Sequence, residues 1–119
     1  MAKAMVAKKQ VLASVDVRKF TEYALDATNS KGKYAIFESL GYTKDNAAEL
    51  VMMYKKQGLK SFLNKRYVLR TFNEYGQRIT IIIKLKGIGS KTGKTVKIKS
   101  GWMIENHGIR LITPFAGFS

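Results

Sequence analysis

The sequence contains no cysteine and a single histidine among its 119 residues. Without cysteine the chain has neither a disulfide framework nor thiolate chemistry. Zinc sites in proteins are built mainly from cysteine and histidine, so one histidine leaves almost no basis for such a site. The carboxylates do not supply a convincing set either, because Asp45 and Glu49 stand at a helical spacing that suits a solvated surface. We therefore expect no metal and no other cofactor.

Acidic residues are also scarce. The chain has 8 Asp and Glu residues against 22 Lys and Arg residues, which gives a formal net charge of +14. Residues 61–119 carry 11 basic and 2 acidic side chains, net +9, whereas residues 1–60 carry 11 and 6, net +5. Such an excess exceeds what solubility requires and indicates an acidic partner. Nucleic acid is the first candidate, an acidic protein the second and a membrane surface the third.

Long apolar runs are missing. The longest candidate, from Ile79 to Ile83, is interrupted by Thr80 and closed by Lys84, so it is far too short for a membrane span. The first residues are small and basic and lack the continuous apolar core of a signal peptide. We expect no membrane insertion by this chain, which is either cytosolic or delivered by something outside itself.

The order of the periodic segments predicts the fold. Helical spacing begins near Val15 and continues in segments at 34–40 and 43–58, with Gly41 at the end of one and Gly58 at the end of the next. Beyond Gly58 the period changes to two, and a first strand at 66–72 leads into a hairpin turn that contains Gly76. We predict a basic arm or linker over residues 1–14 and one α+β domain over residues 15–119. In this domain N-terminal helices pack on a four-stranded antiparallel sheet.

The C-terminal ribbon, residues 78–115, predicts three of these strands. Side chains alternate along a strand, so Lys84 and Lys86 share one face of the first strand, and Lys97 and Lys99 share one face of the next. Pairing of the two strands would then gather four ammonium groups on one surface. Such a surface would bind a polyanion, and the candidate contacts are Lys84, Lys86, Lys91, Lys94, Lys97 and Lys99.

The loop at 87–94 resembles a phosphate-binding P-loop only superficially. A Walker loop needs four residues between its first glycine and the Gly-Lys-Thr, and here Ile88 stands where that glycine is required. The loop also joins two strands, whereas a P-loop leads into a helix. We interpret it as a mobile basic hairpin loop that clasps a phosphate backbone through Lys91 and Lys94.

Four other residues are candidates for chemistry or base contact. Trp102 lies on the apolar face of its strand, which favours a core position, with base stacking as the alternative. His107 lies in a tight turn, either as a simple turn residue or as a general base. Arg110 suits a phosphate that gains charge in a transition state, and Thr113 precedes the restrictive Pro114. For both, an ordinary strand residue is the alternative.

The order of short motifs resembles a small domain found at the C-termini of bacterial polymorphic toxins. The shared pattern has a Tyr-x-Leu helix, a Gly-Lys-x-x-x-Phe helix, a tryptophan-bearing strand and a final Arg-Leu-x-Thr strand. It covers roughly residues 18–115. The matching stretches are Tyr23-Ala-Leu-Asp, Gly32-Lys33-Tyr-Ala-Ile-Phe, Leu40-Gly-Tyr, Ser100-Gly-Trp-Met-Ile and Arg110-Leu-Ile-Thr-Pro-Phe.

This resemblance implies a ribonuclease of the barnase/EndoU/colicin/RelE group that cleaves RNA, most often tRNA, without a metal. It implies secretion as the C-terminal part of a larger surface effector, delivery into a target cell by contact-dependent growth inhibition, and an acidic immunity protein as partner. The domain is otherwise expected to be monomeric. The family's functional positions fall on Lys33, Trp102, Arg110 and Thr113. His107 stands where the pattern carries an Asp-Gly-like turn, so it lies outside the shared motif.

The residues themselves are compatible with this chemistry. In metal-free cleavage the 2′-OH of the RNA is the nucleophile, so the protein needs only proton transfer and phosphate stabilisation. Two alternatives share the same charge: a non-catalytic nucleic-acid-binding module, and an interaction domain for an acidic protein.

Overall fold

The computed structural model describes residues 10–29 and 32–119. It has an α+β architecture, which confirms the predicted class. One short strand comes before the helices, and four antiparallel strands come after them. In the sheet the strands lie side by side in the order β1-β5-β4-β3-β2. The elements are β1 (Leu12–Ser14), a π-helical segment (Phe20–Ala24), α1 (Tyr34–Ser39), a 3-10 turn (Lys44–Asn46), α2 (Ala47–Leu63), β2 (Val68–Asn73), β3 (Gly76–Lys86), a 3-10 turn (Gly89–Lys91), β4 (Thr95–Glu105) and β5 (Gly108–Thr113).

The sheet differs from the prediction of four antiparallel strands. It has five strands and is mixed, because β1 pairs with β5 in parallel. The backbone N–H of Leu12 donates to the carbonyl of His107 at 2.7 Å. This close approach requires glycine at position 108, where a Cβ would lie 1.9 Å from the Leu12 carbonyl oxygen. The predicted loose arm is therefore wrong at Leu12–Ser14, and residues 1–9 lie outside the described residues.

The first helical region, where helical spacing was predicted to begin near Val15, is short. Asp16 lies just before it, and its Oδ1 accepts from the backbone N–H of Arg18 at 2.9 Å. The π-helical segment then spans only Phe20–Ala24. Phe20 is fully buried and its ring meets those of Phe37 and Tyr54 edge-on. This segment is therefore held by its aromatic contacts.

The next two helices follow their predicted starts but not both predicted ends. Gly41 has φ 91° just beyond α1, as a helix-ending glycine should. Thr43 and Asn46 form a reciprocal capping box ahead of α2. The predicted end of α2 at Gly58 is wrong, because the helix continues to Leu63. A Cβ at Gly58 would lie 2.6 Å from Trp102 Cη2, so this glycine admits the indole instead of ending the helix.

The core lies between α2 and one face of the sheet, which we call the helix-covered face. Its centre is Trp102, which is 0% exposed. The indole Nε1 donates to Ser100 Oγ at 2.8 Å, and that hydroxyl donates to the carbonyl of Ile81 at 2.8 Å. The buried position confirms the favoured core placement of Trp102 and rules out the alternative of base stacking, which had made Trp102 a candidate nucleic-acid contact, because no base can reach its ring.

Candidate nucleic-acid interface

The opposite side of the sheet, which we call the open face, carries the lysines of the ribbon. Lys84 lies directly opposite Lys97, Ile82 opposite Lys99 and Lys86 opposite Thr95. Paired residues of antiparallel strands share a face, so the predicted gathering of four ammonium groups is confirmed. Lys84, Lys86 and Lys97 are exposed and Lys99 is half-buried.

Two further rows extend the open face toward β5. One row consists of Arg78, Met103 and Arg110, and the next of Thr80, Gly101 and Thr113. The two rows lie two residues apart along β4, or roughly 6–7 Å. The described ranges contain three ion pairs, of which only Arg110–Glu105 involves this face. The lysines of the open face therefore have no acidic partner among the described residues.

A cavity of about 440 Å³, the open-face cleft, lies at the centre of these rows. Three cations line it: Arg70, Arg78 and Lys99, together with the hydroxyls of Thr80 and Thr113. Arg70 Nε donates to Thr80 Oγ1 at 2.9 Å, which orients the guanidinium. None of the described residues that line this cleft is acidic.

A second basic cavity of about 510 Å³ continues the open-face cleft toward the end of α2. The two cavities share Arg70, Thr80 and Lys99, and the second adds Lys65 and Arg66. An elongated anion that follows both cavities would meet positive side chains along its whole path. Such a path suits the repeating phosphates of a nucleic acid.

The helix-side cleft, a third cavity of about 410 Å³, brings Lys33 and Thr113 together. Lys33 Nζ lies 5.5 Å from the centroid of the Tyr23 ring, within the range of a cation–π contact. Thr113 also lines the open-face cleft, so it stands at the boundary between the two sides of the sheet.

The same helix-side cleft contains an ion pair. Arg18 Nη2 lies 2.7 Å from Asp16 Oδ2. The hydrogen bonds from the Arg18 side chain and backbone lower the pKa of Asp16 to about 2, and the same pair raises the pKa of Arg18. Asp16 is therefore ionised at neutral pH and offsets one cation of this cleft, whereas Lys19 and Lys33 form no ion pair within the described residues.

The other two predicted catalytic residues lie apart. Arg110 Nε donates to Glu105 Oε2 at 2.8 Å, and Arg110 lines a different cavity beside Lys55. His107 is exposed in the turn between β4 and β5 and borders yet another cavity, with Glu105. The structure thus brings Lys33 and Thr113 together, places Arg110 one row away on the open face, and does not join His107 to any of them.

Comparison with known proteins adds one result. A family model described as "Domain of unknown function (DUF6883)" matches residues 7–117. The chain belongs to this family. The comparison with curated proteins gave no match, and neither did the comparison with solved structures.

Backbone hydrogen bonds hold the start of the 87–94 loop of this DUF6883 domain. Ile88 N–H donates to the carbonyl of Leu40 at 2.9 Å, and Gly87 N–H donates to that of Lys94 at 2.8 Å. Lys94 is exposed and Lys91 is half-buried, so both side chains are presented from a fixed turn. The two lysines border the open face without joining its cleft.

Sequence reasoning missed Arg70, Arg78 and Thr80 as site residues of this DUF6883 domain. Arg78 was available as a signal, because the alternation that places Lys84 and Lys86 on one face places Arg78 and Thr80 there too. Arg70 was not available, because β2 is irregular between Leu69 and Phe72. The face to which the Arg70 side chain belongs depends on this local departure from the period of two.

Within residues 10–29 and 32–119, no three His, Asp or Glu side chains stand close enough together to hold a metal ion. In the same ranges no helix has the length and apolar character needed to cross a membrane.

Proposed function

We propose that this domain is a metal-independent endoribonuclease that binds RNA on the open face of its sheet. The observation that carries this proposal is the row of unneutralised cations there, with Lys84 directly opposite Lys97. Like charges that lie directly opposite each other on neighbouring strands destabilise a sheet. Folding therefore does not account for these lysines, whereas the binding of a polyanion does. The open face contributes Arg70, Arg78, Lys84, Lys86, Lys97 and Lys99.

The proposed reaction is transesterification within the RNA. The 2′-oxygen attacks the adjacent phosphorus, the 5′-oxygen leaves, and a 2′,3′-cyclic phosphate forms. One proton must leave the 2′-OH and one must reach the departing 5′-oxygen. Thr113 and Lys33 are our first candidates for contacts to the reacting phosphate, because they share a cavity at the edge of the open face. Arg110 is a further candidate for charge stabilisation, and His107 a weaker one for proton transfer.

The biological setting follows from the resemblance to toxin domains. We propose tRNA as the substrate and a barnase/EndoU/colicin/RelE-like arrangement as the fold group, which the order of helices before an antiparallel meander supports. An acidic immunity protein would neutralise the open face in the producing cell. Release at the end of a larger surface effector would bring the domain into the target-cell cytoplasm.

A non-catalytic RNA-binding module is the second candidate. It is favoured by one observation: the four residues proposed for chemistry are distributed over three cavities, and only Lys33 and Thr113 share one. Such a module would use the same cations and would leave the RNA intact.

The deciding experiment incubates the purified domain with tRNA in the presence of EDTA. We expect cleavage with chelator present, and no cleavage of RNA whose 2′-hydroxyls are methylated. The Thr113→Ala variant, purified in parallel and shown to be folded by thermal melting, controls for contaminating nuclease. Binding without cleavage would favour the module. Activity that EDTA abolishes and magnesium restores would refute the proposed mechanism.

A further inference from the structure

Two irregularities of the sheet converge on the open-face cleft. In β2 the register shifts between Leu69 and Phe72, and both residues in between, Arg70 and Thr71, line the cleft. In the β4–β5 pair the register shifts between Gly101 and Trp102. Bulges redirect side chains and are frequent beside functional sites. Two of them aimed at one cavity indicate that this cavity is a built feature of the fold.

The second shift changes the direction of Thr113. Leu111 pairs with Trp102 on the helix-covered face, whereas Thr113, two residues later, pairs with Gly101 on the open face. Regular alternation would place Leu111 and Thr113 on the same side. The shift brings the Thr113 hydroxyl into line with that of Thr80, with Gly101 between them.

The polar groups of the cleft suit a phosphate. The guanidinium of Arg70 gives one of its five N–H groups to Thr80, which leaves four for a ligand. The Thr80 oxygen accepts that bond, so its hydroxyl hydrogen is free to donate outward. Arg70, Arg78 and Lys99 form no ion pair among the described residues. Three cations and the side chains of Thr80 and Thr113 therefore border the same space.

Gly101 leaves the middle of the cleft empty. A Cβ at this position would meet the nearest atom, Thr113 Cβ, at 3.5 Å, which is ordinary contact, and its φ is not in the left-handed region. The backbone therefore does not require glycine here. What the missing side chain provides is space between Thr80 and Thr113.

We infer that the open-face cleft binds a phosphate group of a nucleotide, with Arg70, Arg78 and Lys99 around it and the two threonine hydroxyls donating to it. That this phosphate belongs to RNA rests on the proposed function. The volume of about 440 Å³ is that of a pocket for a small organic molecule rather than for one small anion. The cleft also continues through Arg70, Thr80 and Lys99 into the second basic cavity, as a chain of phosphates requires.

The test is a titration followed by backbone amide chemical shifts, with three probes: uridine 3′-monophosphate, inorganic phosphate and uridine. We expect the nucleotide to shift the amides of Thr80, Gly101 and Thr113, inorganic phosphate to shift the same amides more weakly, and uridine to leave them unchanged. Equal effects of both phosphates would mean that an anion, and not a nucleotide, is recognised. Shifts centred on Lys33 or on Lys84, or no shifts, would overturn the inference.

Two matched variants sharpen the test. Lys99 and Lys97 lie on the same strand and face, but only Lys99 lines the cleft. We expect Lys99→Gln to weaken binding of the nucleotide about tenfold, as the loss of a charge-assisted hydrogen bond does. Lys97→Gln should weaken it only about twofold, through the longer-range field. Gly101→Val should abolish the shifts by filling the cleft. If this variant is unfolded, the lysine pair still decides.

The outcomes separate this inference from the proposed function. The nucleotide probe measures binding without cleavage. Equal losses for Lys99→Gln and Lys97→Gln, with wild-type ribonuclease activity intact, would refute the cleft and leave the ribonuclease standing. Chemical-shift changes at Thr80, Gly101 and Thr113 in a protein that cuts no RNA would support the cleft and refute the ribonuclease.

Discussion

The two faces of the sheet differ in whether their polar and charged side chains have partners. On the helix-covered face every buried side-chain nitrogen and oxygen of the described residues has a hydrogen-bond partner, as the chain of bonds from Trp102 through Ser100 to the carbonyl of Ile81 illustrates. On the open face Lys84 lies opposite Lys97 with no acid to separate them. Folding accounts for the hydrogen bonds of the helix-covered face. It does not account for the facing lysines of the open face, which is therefore the candidate ligand-binding surface.

Helix α2 connects the two faces. Val68, the first residue of β2, pairs with Thr80 of β3. The part of β3 that follows Thr80 therefore has no described strand beside it on the side away from β4. There the amide of Gln57 replaces one: its Nε2 donates to the carbonyl of Lys84 at 2.8 Å, and its Oε1 accepts from the N–H of Lys84 at 2.7 Å. The hydroxyl of Tyr42 likewise donates to the carbonyl of Lys86 at 2.5 Å. The backbone N–H and carbonyl of Lys84 and the carbonyl of Lys86 thus have hydrogen-bond partners, although neither lysine side chain is neutralised by an acid among the described residues.

The largest effect should come from the helix-covered face. Trp102→Ala should lower the free energy of unfolding by about 3–5 kcal/mol, because it leaves a large cavity and removes the indole donor to Ser100 Oγ. Urea denaturation measures this loss. The matched control is Phe72→Ala, since Phe72 is 75% exposed and should change stability by less than about 0.5 kcal/mol. A stable Trp102→Ala protein that has lost RNA binding would mean that the indole contacts bases after all.

The next largest effect concerns the boundary between the faces. Thr113→Ala and Lys33→Ala should each lower the rate of RNA cleavage about 10²-fold, the scale for loss of a positioned donor. Arg110→Ala should lower it less, about tenfold, because its guanidinium is already engaged by Glu105. Cleavage rates of proteins with unchanged melting temperatures provide the measurement. A large loss in His107→Ala with none in Thr113→Ala would move the chemistry to the turn between β4 and β5.

A smaller effect, which depends on pH, concerns the contribution of Tyr54 on the helix-covered face to the stability of the domain. Burial, and then the neighbouring Tyr42, raise the pKa of Tyr54 well above its ordinary value. The neutral phenol is favoured in the folded state, so its contribution is complete below about pH 10 and is lost as the pH rises further. Tyr54→Phe should cost about 1–3 kcal/mol at neutral pH, since the carbonyl of Pro114 loses its donor. Unfolding curves of the two proteins should converge above pH 10. A difference that stays constant would contradict this explanation.

The smallest effect should come from the open face and have the opposite sign. Lys97→Glu places an acid opposite Lys84 and should stabilise the domain by roughly 0.2–1 kcal/mol at low salt. Salt should reduce this gain. RNA affinity should fall in the same variant, which measurements of melting temperature and RNA binding would show together. A destabilised Lys97→Glu protein would mean that the lysines are needed for folding.

Local pattern was enough to predict much of the fold and part of the site. The four strands β2 to β5 follow from period-two alternation, and the glycine that ends α1 follows from turn chemistry. The shared face of Lys84, Lys86, Lys97 and Lys99 required only the alternation and the pairing of two adjacent strands.

Features that depend on distant partners were not predictable in this way. Gly58 looked like the end of a helix because its contact with Trp102 is made across the core. Strand β1 has three residues, and its parallel pairing with β5 is visible only once the sheet exists. The open-face cleft depends on two bulges, which break the period on which sequence reasoning relies.

Salt dependence shows most clearly whether the open face binds the RNA backbone. Fluorescence anisotropy with a labelled 2′-O-methyl RNA, which cannot be cleaved, gives affinity at each salt concentration. Two variants with the same net charge are compared: Lys84→Gln/Lys97→Gln on the open face, and Lys56→Gln/Lys60→Gln on the exposed side of α2. We predict that the first flattens the slope of log affinity against log salt by about 1.4, or roughly 0.7 per lost phosphate contact, and that the second leaves the wild-type slope. Equal slopes in all three proteins would contradict it.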